Sequence, residues 1–271
     1  MKDNKPKVIL LVAGEGKRLY PYTLDRPKCM VKVDGISLID RQLAVLKSEG
    51  LHDIVMVGGY KSEMLKKEGV RLKLNPEYYK TNMVWTLFSV EEELNGLDGD
   101  VIVSYGDIVY SRKILQALLR STADIAVVID KEWEAYWRVR NEDPLDDAET
   151  LKLGIDGTIR EIGRVPQALS EIEGQYIGLM KFSAQGISQI KEIFYTAIKK
   201  GKLLEKAVEN AYMTDLLQEV INTSKPIVSV PVNGGWVEVD TVEDLNSHIT
   251  KKRIKDIAAQ IQYGQTGKSK T

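Results

Sequence analysis

Residues Gly14 to Lys28 read G-E-G-K-R-L-Y-P-Y-T-L-D-R-P-K and directly follow a short apolar run, Val8 to Ala13. A turn carrying Gly14 and Gly16 after a buried strand lets the main chain approach a phosphate chain and aim N–H groups at it. Arg18 adds a forked cation suited to phosphate oxygens, and Lys28 adds a compact point charge. Pro21 and Pro27 stiffen the loop and bias Tyr20 and Arg26 toward extended geometry. The segment is shaped for a polyphosphate. Other phosphate loops do not fit: a G-x-G-x-x-G fingerprint needs glycine where Leu19 stands, and no G-x-x-x-x-G-K-[ST] occurs. A second chemical group is Asp107, which ends the run Val101-Ile102-Val103-Ser104-Tyr105-Gly106 and so falls at the C-terminal tip of a strand.

The pattern around these residues determines how they meet. Apolar, β-branched runs recur at Asp53–Val57, Val70–Leu74, Val101–Ser104, Ile125–Ile129, Tyr176–Phe182 and Ile227–Val232. Helical patterns lie between them. Ile39, Leu43 and Leu46 share one face, and Gly50 closes that helix. Alternation of this kind predicts βαβ units in a three-layer, Rossmann-like α/β fold, a mostly parallel sheet with helices on both faces. Residues 131–170 break the rhythm with polar, Trp-rich and acidic sequence and a turn at Asp156-Gly157, and are expected to form a small antiparallel excursion on the acceptor side. Residues 1–263 read as one domain and 264–271 as a disordered tail. The late face of Ile254, Ile257, Ala258 and Ile261 fits either this chain's own core or a homodimer.

The loop resembles the signature of the nucleotidyltransferases that make activated sugars and activated choline, G-x-G-x-R-L-x-P-x-T-x-x-x-P-K. Gly14, Gly16, Arg18, Leu19, Pro21, Thr23, Pro27 and Lys28 fill every fixed position. The resemblance implies the nucleotide-diphospho-sugar transferase variant of the fold, with Lys28 and Arg18 as the catalytic cations. It also puts Ala13, Gly14, Gly16 and Lys17 on the nucleotide. Nucleotide transfer needs a cation bridging phosphate oxygens, usually Mg²⁺ on one or two carboxylates. In the family an aspartate at the place of Asp107 holds it. Many relatives carry a second aspartate nearby, where this chain has Tyr105. The stretch Trp236–Leu245 resembles the family's late acidic junction, which offers Asp240 as a further ligand and Glu238 two residues earlier on the same strand face. The alternative for Asp240 is a helix cap.

The segment Asn75–Leu87 looks like the family's base-reading element, with Thr81, Asn82 and Thr86 facing the nucleotide. Its T-N-M-x-x-[ST]-L form resembles cytidylyltransferases acting on phosphocholine and other small phosphates or phosphonates, so CTP is the expected donor. The lysine of the sugar enzymes' E-K-P-type motif is absent from Glu161–Pro166, where Arg164 is the nearest substitute. Trp133, Tyr136 and Trp137 offer aromatic faces to an acceptor ammonium. Tyr176 and Lys181 are expected to return to the same place, and the cationic neighbours favour an acceptor that also carries a carboxylate.

Composition narrows the remaining classes. The 271 residues are 43% hydrophobic and 28% charged with a net charge of −1, which argues against a nucleic-acid or membrane-surface binder. The lone Cys29 excludes an internal disulfide and fits a reducing cytoplasm; a packed position suits it better than a reactive one. The expected activity is Mg²⁺-dependent transfer of CMP from CTP to a small phosphorylated or phosphonate acceptor. The competitors are a sugar-1-phosphate nucleotidylyltransferase using UTP, dTTP or GTP, and a catalytically silent nucleotide-binding regulator.

Overall fold

The computed structural model describes residues 5–266, with side chains to residue 260. In chain order the strands are β1 Lys7–Val12, β2 Lys32–Val33, β3 Ile36–Ser37, β4 Ile54–Gly58, β5 Arg71–Leu74, β6 Val101–Tyr105, β7 Ile108–Tyr110, β8 Ile125–Asp130, β9 Leu151–Leu153, β10 Ile159–Ile162, β11 Gln175–Phe182, β12 Lys202–Leu203, β13 Lys206–Ala207, β14 Val228–Val232 and β15 Trp236–Glu238. The helices are α1 Leu38–Ser48, α2 Met83–Phe88, α3 Arg112–Arg120, α4 Trp133–Arg140, α5 Ala184–Lys200, α6 Met213–Asn222, α7 Val242–Asn246 and α8 His248–Thr266.

Seven strands form the central sheet in the order β14-β8-β11-β6-β1-β4-β5. Each corresponds to one of the apolar runs in the sequence. The five inner strands are almost continuously buried, as a sheet covered on both faces demands, while the edge strands β5 and β14 are partly exposed. In β1, Ile9 and Leu11 enter the core beneath α2, α5 and α6, while Val8, Leu10 and Val12 enter the core beneath α1, α3 and α4. The three-layer α/β architecture is therefore present. One strand reverses: β11 runs antiparallel to both β6 and β8, while every other pairing in the sheet is parallel.

The segment expected to be an antiparallel excursion is half helical. Its first part is α4, and only β9 and β10 pair as a hairpin, through the Asp156-Gly157 turn with Gly157 at φ +75°. The reason is in the sequence. Trp133, Tyr136, Trp137 and Arg140 are spaced i, i+3, i+4, i+7, the stripe of a helix with one face inward. At the C-terminus, residues 264–266 belong to α8, and 267–271 lie outside the described residues. Ile254 and Ile257 pack into a third apolar cluster with Leu19, Leu38 and Val237, so this part of the late face serves the chain's own core.

The position of Asp107 is set by the turn between β6 and β7, which the buried Gln42 of α1 grips. Its Nε2 donates to the carbonyls of Tyr105 (2.9 Å) and Ile108 (2.6 Å), and its Oε1 accepts from Ser104 (3.2 Å). Strand β15 then pairs antiparallel with β7, Glu238 opposite Ile108, and the Val239 amide donates to the Asp107 carbonyl at 3.1 Å. This small ladder brings the late acidic junction against the early one. Gln42→Leu should leave the buried Ile108 carbonyl unpaired, with the Tyr105 carbonyl keeping only the Ser104 hydroxyl, and lower stability by roughly 1–3 kcal/mol. Urea unfolding measures this, and an unchanged midpoint would show that Gln42 does not hold the turn.

Candidate active site

A cavity of about 370 Å³ opens at the C-terminal ends of β1 and β6. Ala13, Gly14, Gly16, Lys17, Arg18 and Lys28 line one side, Thr81, Asn82 and Thr86 another, and Asp107 with Asp240 the floor. The glycine loop is anchored from below. Leu19 is fully buried, and the buried Thr23 hydroxyl donates to the Gly16 carbonyl at 2.9 Å. Gly16 has φ +72°, and a Cβ there would stand 2.9 Å from the Lys28 Cβ. Glycine is needed at this position both for the left-handed backbone and for the passage of the Lys28 side chain. Cys29 is buried and its thiol is pushed up to about 12 by desolvation, which makes it an inert core group.

The charged floor joins residues far apart in the chain. Lys28 Nζ donates to Asp107 Oδ2 at 2.5 Å and also to Asp240 Oδ1, partners 79 and 212 residues away. Arg18 pairs with the other Asp240 oxygen at 2.8 Å. Burial opposes the Lys28 charge, yet the fields of Asp107, Asp240 and Glu238 outweigh it and raise the pKa. Burial alone would raise the Asp240 pKa, but Lys28 and Arg18 bring it below the usual carboxylate value. For Glu238, desolvation and the nearby Asp240 charge win over Arg140, and its pKa is raised.

Asp107, Glu238 and Asp240 each offer an oxygen, and these lie within 4.8 Å of one another. Asp107 Oδ1 is buried with no hydrogen-bond partner, an acceptor that a hard cation would satisfy. An all-oxygen donor set of this kind fits Mg²⁺. Asp240 does not cap α7. Thr241 does, accepting from the Asp244 amide at 3.1 Å while Asp244 reaches back to the Thr241 amide, a capping box. The Asp240 carboxylate is left to the cations.

On the opposite wall, the buried Asn75, which sequence reasoning did not single out, organises the segment before α2. Its amide donates to Thr81 Oγ1 (2.9 Å) and Thr86 Oγ1 (3.0 Å). Asn82 stands at the helix N-cap, but its side chain donates instead to the Asn210 carbonyl at 2.9 Å. Tyr78, Met83 and Tyr105 also line the cavity. Gly178 in β11, at φ +77°, makes room for the Tyr105 ring, which a Cβ would meet at 2.6 Å.

Residues 8–171 match the MobA-like NTP transferase domain. The chain belongs to this family. Over 252 residues it is 40% identical to a CTP:phosphoglutamine cytidylyltransferase of Campylobacter jejuni, covering 90% of this chain and 99% of that one. It is 35% identical over 120 residues to a choline-phosphate cytidylyltransferase of Streptococcus pneumoniae, covering 43% of this chain and 51% of that one. Among solved structures, the inositol-1-phosphate CTP transferase of T. maritima shares the fold with a TM-score of 0.72 at 18% identity, over 97% of this chain and 99% of that one. Family membership makes the chain a nucleotidyltransferase, and the loop, strand-end acid and late junction are where that family's chemistry was expected.

The residues expected around the acceptor scatter. Trp133, Tyr136 and Trp137 are buried on the inner face of α4, each ring within about 6 Å of another or of Trp236. Their indole and hydroxyl groups bond to the main chain: Trp133 to the Ile172 carbonyl, Trp137 to the Asp147 carbonyl, Tyr136 to Glu238. Arg140 lies over Tyr136 and Trp137 and Arg253 over Tyr136, and none of the three rings lines the cavity. Lys181 also departs from expectation. Because β11 is antiparallel, its last residues lie at the far edge of the sheet, where the Lys181 ammonium is buried against Asp100 and the Ser121 carbonyl. Tyr176, at the near end, stacks edge-on against Tyr105 at 5.8 Å and supports it. Arg164 is exposed, 3.6 Å from Glu161, and lines a separate cavity with Lys206 and Asp215.

Trp137→Leu should therefore lower stability by roughly 2–4 kcal/mol, as for other large core truncations, and leave the acceptor KM unchanged. A raised acceptor KM in a fully stable variant would return the rings to the site. Glu149 yields a pH test. Burial pushes its carboxyl up to about 7, although Thr214 donates to it at 3.2 Å. The folded state then holds a proton that the unfolded state releases near pH 4.5, so this group's contribution falls as pH rises through about 7. Glu149→Gln should flatten the stability profile between about pH 4.5 and 7; an unaltered slope would mean that Glu149 is already ionised in the fold.

Proposed function

We propose that the chain transfers CMP from CTP to a small phosphorylated acceptor and releases pyrophosphate, and that the acceptor is a phosphorylated amino-acid derivative of the phosphoglutamine type. The observation that carries the chemistry is the meeting of Lys28 with Asp107 and Asp240 beneath the glycine loop. The donor reading rests on the T-N-M-x-x-T-L segment at the cavity wall and on the C. jejuni relative, similar along nearly its whole length. The acceptor reading rests on that same relative. The enclosure of the three α4 rings removes them as faces for a quaternary ammonium, and the rings left at the cavity are those of Tyr78 and Tyr105.

In this reading the nucleotide lies along Gly14–Lys17 with its base toward Thr81, Asn82 and Thr86. An oxygen of the acceptor phosphate attacks the α-phosphorus. The bond to the β-phosphate oxygen breaks, and pyrophosphate leaves with the electron pair. No side-chain base is needed, because the free phosphoryl group of the acceptor already presents anionic oxygens at neutral pH. Lys28 and Arg18 neutralise charge on the phosphates as it develops. A divalent cation on Asp107 and Asp240, with Glu238, would supply further neutralisation of the phosphate oxygens. The reaction would take place in the cytoplasm.

Pyrophosphate release should be fastest with CTP and phosphoglutamine in a panel of four nucleoside triphosphates and a dozen phosphorylated acceptors. Preference for UTP or dTTP with a sugar phosphate would replace this reading, and no turnover with any pair would favour a silent nucleotide-binding module. Lys28→Ala should reduce turnover by roughly two to four orders of magnitude while remaining folded, as for other electrostatic donors. Near-normal turnover would remove Lys28 from the machinery.

A further inference from the structure

We infer that Arg140 is a positioning residue for the carboxylate cluster, holding Glu238 through one arm and the main chain of Asp240 through Asp244. The inference rests on the cation-binding reading given above. Arg140 is the last residue of α4, and its side chain is 6% exposed. Its Nη1 donates to Glu238 Oε2 at 2.7 Å. Its Nε and Nη2 donate to the two oxygens of Asp244 at 2.9 and 3.0 Å, the parallel fork in which guanidinium and carboxylate match best. Asp244 Oδ2 in turn accepts from the amides of Asp240 (3.0 Å) and Thr241 (3.1 Å). One guanidinium thus spans the β15–α7 junction and fixes both of its candidate ligands.

Two further observations separate this role from the alternatives. The first is burial: with its edge committed to two carboxylates and its planar faces near Tyr136 and Trp137 (5.3 and 4.9 Å to the ring centroids), Arg140 presents nothing to a substrate phosphate. The second is that its partners are functional groups. Glu238 belongs to the three-carboxylate group, and Asp244 holds the amide of the residue that pairs with Lys28 and Arg18. The α4 rings therefore contribute to the site indirectly, as the shelf that holds this arginine. Lysine cannot replace it, since an ammonium has no fork to span Glu238 and Asp244 together.

The test uses Mn²⁺ as the probe, titrated into the full chain and followed by electron paramagnetic resonance, alongside melting curves. Groups that orient metal ligands typically affect metal affinity 10- to 100-fold. Arg140→Lys should weaken Mn²⁺ binding about tenfold or more. It should also raise the metal concentration for half-maximal turnover by a similar factor, with kcat largely recovered at saturating metal. Asp244→Asn, which loosens the same fork from its other end, should shift Mn²⁺ affinity in the same direction and supplies the reading if Arg140→Lys does not fold. Parental Mn²⁺ affinity in a folded variant, with binding intact in the parent, would reduce Arg140 to a packing role and leave the cation reading standing. Absence of Mn²⁺ binding by the parent would overturn both.

Discussion

Three carboxylates whose oxygens lie within 4.8 Å repel one another, and the geometry of the site follows from how that repulsion is answered. In a partly buried setting, like charges this close either protonate or gather cations. Here Lys28 is placed between Asp107 and Asp240, Arg18 flanks Asp240 from the solvent side, and Arg140 reaches Glu238 from the interior. The cations differ in kind. Lys28 and Arg18 line the cavity, whereas Arg140 is sealed in the core and committed to its partners.

That division explains why the site is built from two lobes of structure. The glycine loop and Asp107 rise from the central sheet, at the edge where α/β folds gather ligands. Glu238 and Asp240 come from a two-stranded ladder outside that sheet, joined to it by β7 and backed by the third apolar cluster. The lobes meet through three residue pairs of β15 with β7, the Val239–Asp107 hydrogen bond, the carboxylate–cation pairs and the buried Trp236, whose indole donates to Asp130 Oδ2 of β8 at 2.8 Å.

How much of this was legible in the sequence varied with the range of the forces involved. The inner sheet strands were readable because burial on both faces leaves continuous apolar runs, the edge strands because apolar residues still recur in them, and the glycine loop because its residue types and spacing have few other uses. The convergence of Asp107 and Asp240 was reachable through family resemblance, not through local pattern, since their approach depends on a ladder of three residues. The failures have definite causes. Reading residues 131–140 as a sheet excursion overlooked the i, i+3, i+4, i+7 spacing of Trp133, Tyr136, Trp137 and Arg140. Once that stripe is seen as a helix, the rings must face inward. Lys181 was misplaced because strand direction is invisible in a run of apolar residues. Gln42 and Asn75 carry no signal of their own; a buried amide is meaningful only when the carbonyls or hydroxyls it holds are known.

The grip of Gln42 on the β6–β7 turn has a bearing on how such a site can diversify. Both of its donated hydrogen bonds end on main-chain carbonyls, those of Tyr105 and Ile108, and neither involves the side chain at either position. The two carbonyl contacts are thus independent of the side chains at 105 and 108, whereas Ser104 bonds Gln42 through its hydroxyl and Gly106 leaves no room for a Cβ. A tyrosine can stand at 105, where many members of the resembling family carry a second aspartate, and the turn keeps its shape. Exchanges at this cavity-lining position change what the wall offers a substrate without changing the frame that holds the acid. The fold thereby separates the frame that holds the acid from the side chain that faces the cavity beside it.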